Sequence, residues 1–255
     1  MKWLRLLALT LSMVAAPALA GEITVAAAAD LKFCMDDIVA AFRSSHAGSE
    51  VKVVYGSSGN FDAQIRAGAP FDLFFSADIE FPRALRAADL TASDVHPYAV
   101  GRIVLWSATL DAAHMTLADL ARPDIRKIAI ANPLHAPYGR RAEEALRASG
   151  LWEKVEPKLV LGENIAQTAQ FVQSGNAQVG IIALSLALNP ELAGKGGHYL
   201  IPETLHKPLE QGFVITKHAA DNALAKTFAD YVTSAPARAI MVRYGFALPG
   251  ETAAR

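Results

Sequence analysis

The sequence predicts an α/β protein of two lobes, each a mostly parallel sheet flanked by helices, with the ligand in the cleft between them. Three observations carry this. Short apolar runs of strand type alternate with amphipathic runs of helical spacing along most of the chain. The alternation is divided by two crossings, one near residues 97–101 and one near 209–212. In both halves the strands end on Asp, Ser, Asn or Gly, the residues that open helices and line loops. A length of 255 residues suits one large domain or two small lobes.

The first half reads strand–helix three times. Residues 22–29 (EITVAAAA) form a buried strand, and Asp30 stands as the N-cap of a helix with apolar positions at Leu31, Met35, Ile38, Val39 and Phe42. Residues 51–55 form the second strand and 60–67 the second helix, which ends at Gly68-Ala69-Pro70. Between them lies Gly56-Ser57-Ser58-Gly59, a turn that delivers free helix N–H groups and neutral hydroxyls to one spot, a small anion site. No lysine follows in nucleotide P-loop spacing, and an ordinary serine N-cap also accounts for the turn. Residues 71–75 form the third strand, with Asp78 capping a helix over 79–88.

Residues 98–107 (YAVGRIVLWS) read as one longer strand. The second half then gives strands at 127–131, 158–161, 177–183, 198–201 and 211–216, and helices at 140–149, 165–173, 184–188, 219–233 and 236–244. Residues 132–139 and 192–198 read as loops. The lobes are assigned as 21–98 and 99–211, with 212–255 returning mainly to the first. Hinged closure on the ligand is the expected motion.

Residues 1–20 have a basic start, an apolar run and Ala18-Leu19-Ala20, and are expected to be a cleaved signal peptide. A net charge of −1 gives no reason to expect nucleic acid, so an anionic ligand must be captured locally. The single cysteine, Cys34, lies in a helical pattern and is assigned to core packing. The seven histidines show no metal-ligand spacing, and no metal site or cofactor is expected. His135 is read as a surface loop residue near the cleft, and Asp72 and Asp78 as structural. The glycines at 194, 196 and 197 lack the helix that a dinucleotide site needs.

In order along the chain stand Ala26-Ala27-Ala28-Ala29-Asp30-Leu31, Gly56-Ser57-Ser58-Gly59, Gln64-Ile65-Arg66-Ala67-Gly68-Ala69-Pro70, Phe74-Phe75-Ser76-Ala77-Asp78, Asn132-Pro133, Ala136-Pro137-Tyr138-Gly139 and Tyr244-Gly245-Phe246. This set resembles the periplasmic molybdate-binding proteins of ABC transporters. The resemblance implies the two-lobe periplasmic binding protein fold of type II and capture of a tetrahedral oxyanion, molybdate or tungstate. It also implies a periplasmic location, and delivery to a membrane permease with a cytoplasmic ATPase by what is expected to be a monomer. Carried over residue by residue, it gives Ala29, Asp30, Ser58, Tyr138 and Ile165 as the oxyanion-binding positions. Tyr138 would act by its backbone N–H or, because Ala183 stands where many members have a tyrosine, by its hydroxyl.

Asp30 departs from the pattern, standing where Ser or Asn is usual. An ionised carboxylate only accepts hydrogen bonds, so it opposes a dianion in a dehydrated cleft. Three outcomes stay open: it caps its own helix, it is protonated in the complex, or the ligand is a protonated oxyanion of the sulfate or phosphate kind. A secreted α/β hydrolase with Asp30 as base and Ser58 as nucleophile is the alternative from another class.

Overall fold

The computed structural model describes residues 21–250. The expected signal peptide lies outside the described residues. Lobe 1 begins with β1 (Gly21–Ala28), α1 (Lys32–Ser45), β2 (Ser49–Gly56), α2 (Ser58–Arg66), β3 (Leu73–Ser76), α3 (Glu80–Ala87) and β4 (His96–Gly101). Lobe 2 follows with β5 (Ile103–Ser107), β6 (Ile128–Ala131), α4 (Pro137–Ala148), α5 (Trp152–Val155), β7 (Leu159–Gly162), α6 (Ile165–Gln173), β8 (Val179–Ala183), α7 (Leu184–Ala187), α8 (Pro190–Ala193) and β9 (Gly197–Leu200). The chain returns to lobe 1 as β10 (Leu209–Ile215), α9 (Ala223–Val232) and α10 (Ala235–Arg243).

Each lobe holds a five-stranded sheet, ordered β2-β1-β3-β10-β4 in lobe 1 and β7-β6-β8-β5-β9 in lobe 2. In lobe 1, β1 pairs in parallel with β2 and β3, and β10 runs antiparallel to β3 and β4. In lobe 2, β6 pairs in parallel with β7 and β8, and β5 runs antiparallel to β8 and β9. Both sheets thus have three parallel strands whose carboxyl ends deliver loops and helix starts to the cleft.

The strand expected over 98–107 is two strands in two sheets. Both halves are buried and apolar, so the sequence pattern cannot register that the chain changes sheet between them. The break falls at Gly101-Arg102. A Cβ on Gly101 would overlap the Tyr138 hydroxyl, and the Arg102 guanidinium donates to the Gly245 carbonyl (3.1 Å). The sheets therefore place the crossings at Arg102 and at 201–208, and the boundaries set at 98/99 and 211/212 fall inside β4 and β10. Part of the loop expected over 192–198 is structured, as the end of α8 and the start of β9. The helix expected from 219 begins at Ala223, where the Asn222 side chain accepts from the N–H groups of Leu224 and Ala225.

Lobe 1 is filled by aromatic side chains: Phe75 stacks on Phe213 (ring centroids 4.7 Å) and Phe42 meets Phe228 edge-on (5.1 Å). Cys34 is buried in this core, and burial pushes its thiol up, as a packing role requires. Trp106 is buried in the core of lobe 2.

The start of α4 is set by a close approach. The helix begins at Pro137, three residues before the expected start, with proline at its first position, where a missing N–H costs nothing. Gly139 lies so close to the Ala131 carbonyl that a Cβ would overlap backbone atoms. Gly139→Ala is expected to destabilise the fold by about 1–3 kcal/mol, read as a lower urea midpoint with an unchanged slope.

Candidate functional site

Four strand ends meet at the cleft, and each leads into a helical start. β1 runs into a 3-10 turn at Ala29–Leu31, β2 into α2, β6 into α4 after a short loop, and β7 into α6. The first N–H groups of a helix have no acceptor within it, and they carry the positive end of its dipole. All five expected residues, Ala29, Asp30, Ser58, Tyr138 and Ile165, line one small pocket between the lobes, completed by neighbours that include Ala77 and Pro137.

The donors are arranged locally by their neighbours. Ser58 is fully buried, and its Oγ accepts the Ala77 N–H (3.0 Å). A hydroxyl whose oxygen already accepts keeps its proton to give. The Asn164 side chain accepts from the N–H groups of Ala166 and Gln167 (both 3.0 Å). That leaves the N–H of Ile165, the first helical residue, without an intrahelical acceptor. Tyr138 is the second residue of α4, and its N–H is in the same position.

The Tyr138 hydroxyl has another task. It donates to Asp30 Oδ2 (2.9 Å) and accepts from Gln211 Nε2 (3.1 Å). Of the two modes expected for Tyr138, the structure leaves the backbone N–H for a ligand and assigns the phenol to Asp30.

Asp30 does not cap its helix. The cap position of α1 is Leu31, and no side chain caps either α1 or the preceding 3-10 turn. The Asp30 carboxyl instead reaches across the cleft. Its Oδ2 accepts from Tyr138 and from Gln211 Nε2 (2.7 Å), and its backbone carbonyl accepts from the Ser185 hydroxyl (2.7 Å). Tyr98 donates to Gln211 Oε1 (2.7 Å) and so orients the amide. Burial raises the Asp30 carboxyl to about 6, against the lowering effect of the bonds from Gln211 and Tyr138 and of the backbone N–H groups of Asp30 and Leu31. Gln211, Tyr98 and Ser185 were missed by sequence reasoning. The available signal for Gln211 was an amide at the head of an otherwise apolar strand (QGFVIT).

The cleft is closed by direct contacts between the lobes. Gly59 N–H donates to the His135 carbonyl (2.9 Å), and His135 Nδ1 lies 3.0 Å from Ser57 Oγ. Ser57 therefore does not cap α2 with its side chain, and His135, expected as a surface loop residue, bridges the lobes. Asp78, expected as the cap of α3, lies one residue before the cap position, Ile79; its Oδ1 accepts the N–H of Glu80, the first helical residue (3.1 Å), and its carboxyl also faces Arg141 and Arg140 across the cleft (3.7 and 3.8 Å).

Two α/β lobes joined by two crossings, shut over a cavity ringed by helix starts, define a receptor for a small anionic solute. The chain belongs to the family of bacterial extracellular solute-binding proteins, whose model matches residues 23–247. It is 38% identical over 234 residues to the molybdate-binding protein ModA of Rhodobacter capsulatus, covering 91% of this chain and 90% of that protein. It is 36% identical over 242 residues to the molybdate-binding protein ModA of Azotobacter vinelandii, covering 94% and 96%. The solved periplasmic molybdate-binding protein of A. vinelandii superposes with a TM-score of 0.84 at 32% identity, covering 89% of this chain and 99% of that one. The sulfate-binding protein SubI of Mycobacterium tuberculosis, at 17% identity and a TM-score of 0.72, shares the fold. The chain is accordingly a binding protein and not an enzyme, with a small ligand and a transporter permease as partners. The relatives do not favour the hydrolase alternative, and the Asp30 carboxyl it would use as base is engaged by Tyr138 and Gln211.

Ser58→Ala removes a donor to a charged ligand, worth roughly 1.5–3 kcal/mol, and leaves the buried Ala77 N–H unpaired. Oxyanion affinity is expected to fall about tenfold to a hundredfold, with a modest loss of stability, by parallel calorimetric titration and thermal melting. Parent-like affinity would remove Ser58 from the site.

Proposed function

We propose that this chain captures molybdate or tungstate in the periplasm and delivers it to an ABC permease driven by a cytoplasmic ATPase. It acts as a monomer, and the oxyanion is cargo, with no cofactor involved. The observation that carries the reading is the convergence of helix starts from both lobes, with the Ser58 hydroxyl, on one small pocket. A fully ionised tetrahedral oxyanion offers only acceptors, and this cavity offers N–H groups and a hydroxyl whose proton is unspent. The donors in this reading are the N–H groups of Ala29, Asp30, Tyr138 and Ile165 and the hydroxyl of Ser58. The names of the relatives at 36–38% identity supply the choice of molybdate over sulfate.

An anion that contacts both lobes stabilises the closed form alone. Titration with molybdate, tungstate, sulfate and phosphate is expected to give dissociation constants of about 1 μM or below for the first two, and far weaker binding for the others. Small-angle scattering is expected to show compaction as molybdate saturates the protein. Tight sulfate binding with none of molybdate would overturn the choice of ligand. An unchanged radius under verified saturation would overturn the hinge.

A further inference from the structure

Resting on the oxyanion reading above, a second property follows from how the two oxygens of Asp30 are used. Oδ2 accepts two hydrogen bonds, from the Tyr138 hydroxyl (2.9 Å) and from Gln211 Nε2 (2.7 Å). Those two bonds occupy both of its in-plane acceptor positions. Oδ1 is buried and makes no full hydrogen bond among the described residues, although the nearby backbone N–H groups of Asp30 and Leu31 help to hold the carboxyl down, and Asp30, 1% exposed, lines the anion cavity. One half of the carboxyl is therefore tied to lobe 2 and β10, while the other half is a buried oxygen without a full hydrogen bond, on a residue that lines the anion cavity.

We propose that Asp30 makes anion capture proton-coupled: it enters the closed complex as the neutral acid and donates its O–H from Oδ1 to an oxygen of the bound dianion, so that each anion is taken up with one proton from solvent. Oδ2 cannot carry this proton, because both of its acceptor positions are filled by donors. An ionised Oδ1 would set a bare negative oxygen against a dianion in a site closed to water, the least favourable pairing available. Protonated, the same atom becomes one more donor in a cage of donors.

The surroundings leave the proton on Asp30. Its titratable neighbours are Tyr138 of α4, Tyr98 of β4 and Cys34 of α1, all raised by burial and uncharged near neutrality. Tyr55 of β2 donates to Asp36 and is likewise pushed up by burial. Lys32 pairs with Asp36, and Arg140 and Arg141 face Asp78. α6 and α7 carry no titratable side chain, and on β10 the neighbour Glu210 lies one residue from Gln211, on the opposite face of the strand. No ion pair with Asp30 occurs among the described residues, so a second negative charge next to it is relieved by protonation, on a carboxyl that burial already raises to about 6.

The sign follows from linkage. Binding that takes up a proton is at full strength below the carboxyl's value in the free protein and weakens as pH rises above it, by about tenfold per pH unit. The test is calorimetric titration of the full protein with molybdate, at about pH 7 and about pH 8.5, in pairs of buffers with different ionisation heats. The parent is expected to take up about one proton per anion and to lose affinity by more than about tenfold between the two pH values. Asp30→Asn, whose amide donates without a proton, is expected to bind with no uptake and a flat profile. Tight, pH-independent binding by the parent without proton uptake overturns the inference and leaves the oxyanion reading standing. Proton uptake that persists in Asp30→Asn also overturns it. Failure of the parent to bind molybdate overturns the oxyanion reading and the inference with it. The buffer-pair measurement on the parent decides the matter even if the variant does not fold.

Discussion

A helix cannot satisfy its own first N–H groups, and the rest of this structure depends on that constraint. Four such starts, at Ala29, Ser58, Tyr138 and Ile165, come together from two sheets around one cavity. None of these first N–H groups has an acceptor within its own helix. In the proposed function an oxyanion supplies several at once and so serves as the missing cap of helices in both lobes. The parallel strand order in each sheet is what aims the starts inward, since β1, β2, β6 and β7 all present their carboxyl ends to the cleft.

The contacts that shut the cleft divide into two kinds. Around the rim, Gly59 with His135 and Asp78 with Arg140 and Arg141 hold surfaces that water reaches when the lobes part. Beneath the cavity, Asp30, Tyr138, Gln211 and Tyr98 form a chain of hydrogen bonds running from β4 and β10 of lobe 1 into α4 of lobe 2. This chain lies against Gly101, where the polypeptide passes between the sheets, and the absence of a side chain there makes room for the phenol of Tyr138. The crossing at Gly101 and the hydrogen-bonded group around Asp30 are therefore in direct contact.

Most of the fold was legible because its parallel strands are apolar runs bounded by caps and glycines, and the five expected site residues do meet. What stayed hidden has a common physical origin. The passage from β4 to β5 is invisible to pattern because a strand buried on both faces looks the same in either sheet. The role of Asp30 was misread locally: a residue after a strand and before a helix looks like a cap, and only the distant Tyr138 and Gln211 show that its carboxyl is used elsewhere. His135 and Ser57 were each read within their own loop, and their contact spans 78 positions of sequence. Local chemistry predicts which groups are available. Which of them find each other depends on closure, and closure is a property of the whole chain.

The sheet order of lobe 1 also dictates the sequence in which the molecule can be completed. Lobe 2 is a continuous stretch of chain, and all its strands are present once β9 has been made. Lobe 1 is not: β10 lies between β3 and β4, so β4 has no partner in its sheet until the last part of the chain arrives. Helices α9 and α10, which carry Phe228 and Met241 into the lobe 1 core, come later still. The inserted lobe can be completed from its own continuous stretch of chain, while the lobe that begins the chain waits with an open edge. An unpaired edge of that kind, set by topology and not by stability, is a template for pairing with another chain until β10 fills the gap.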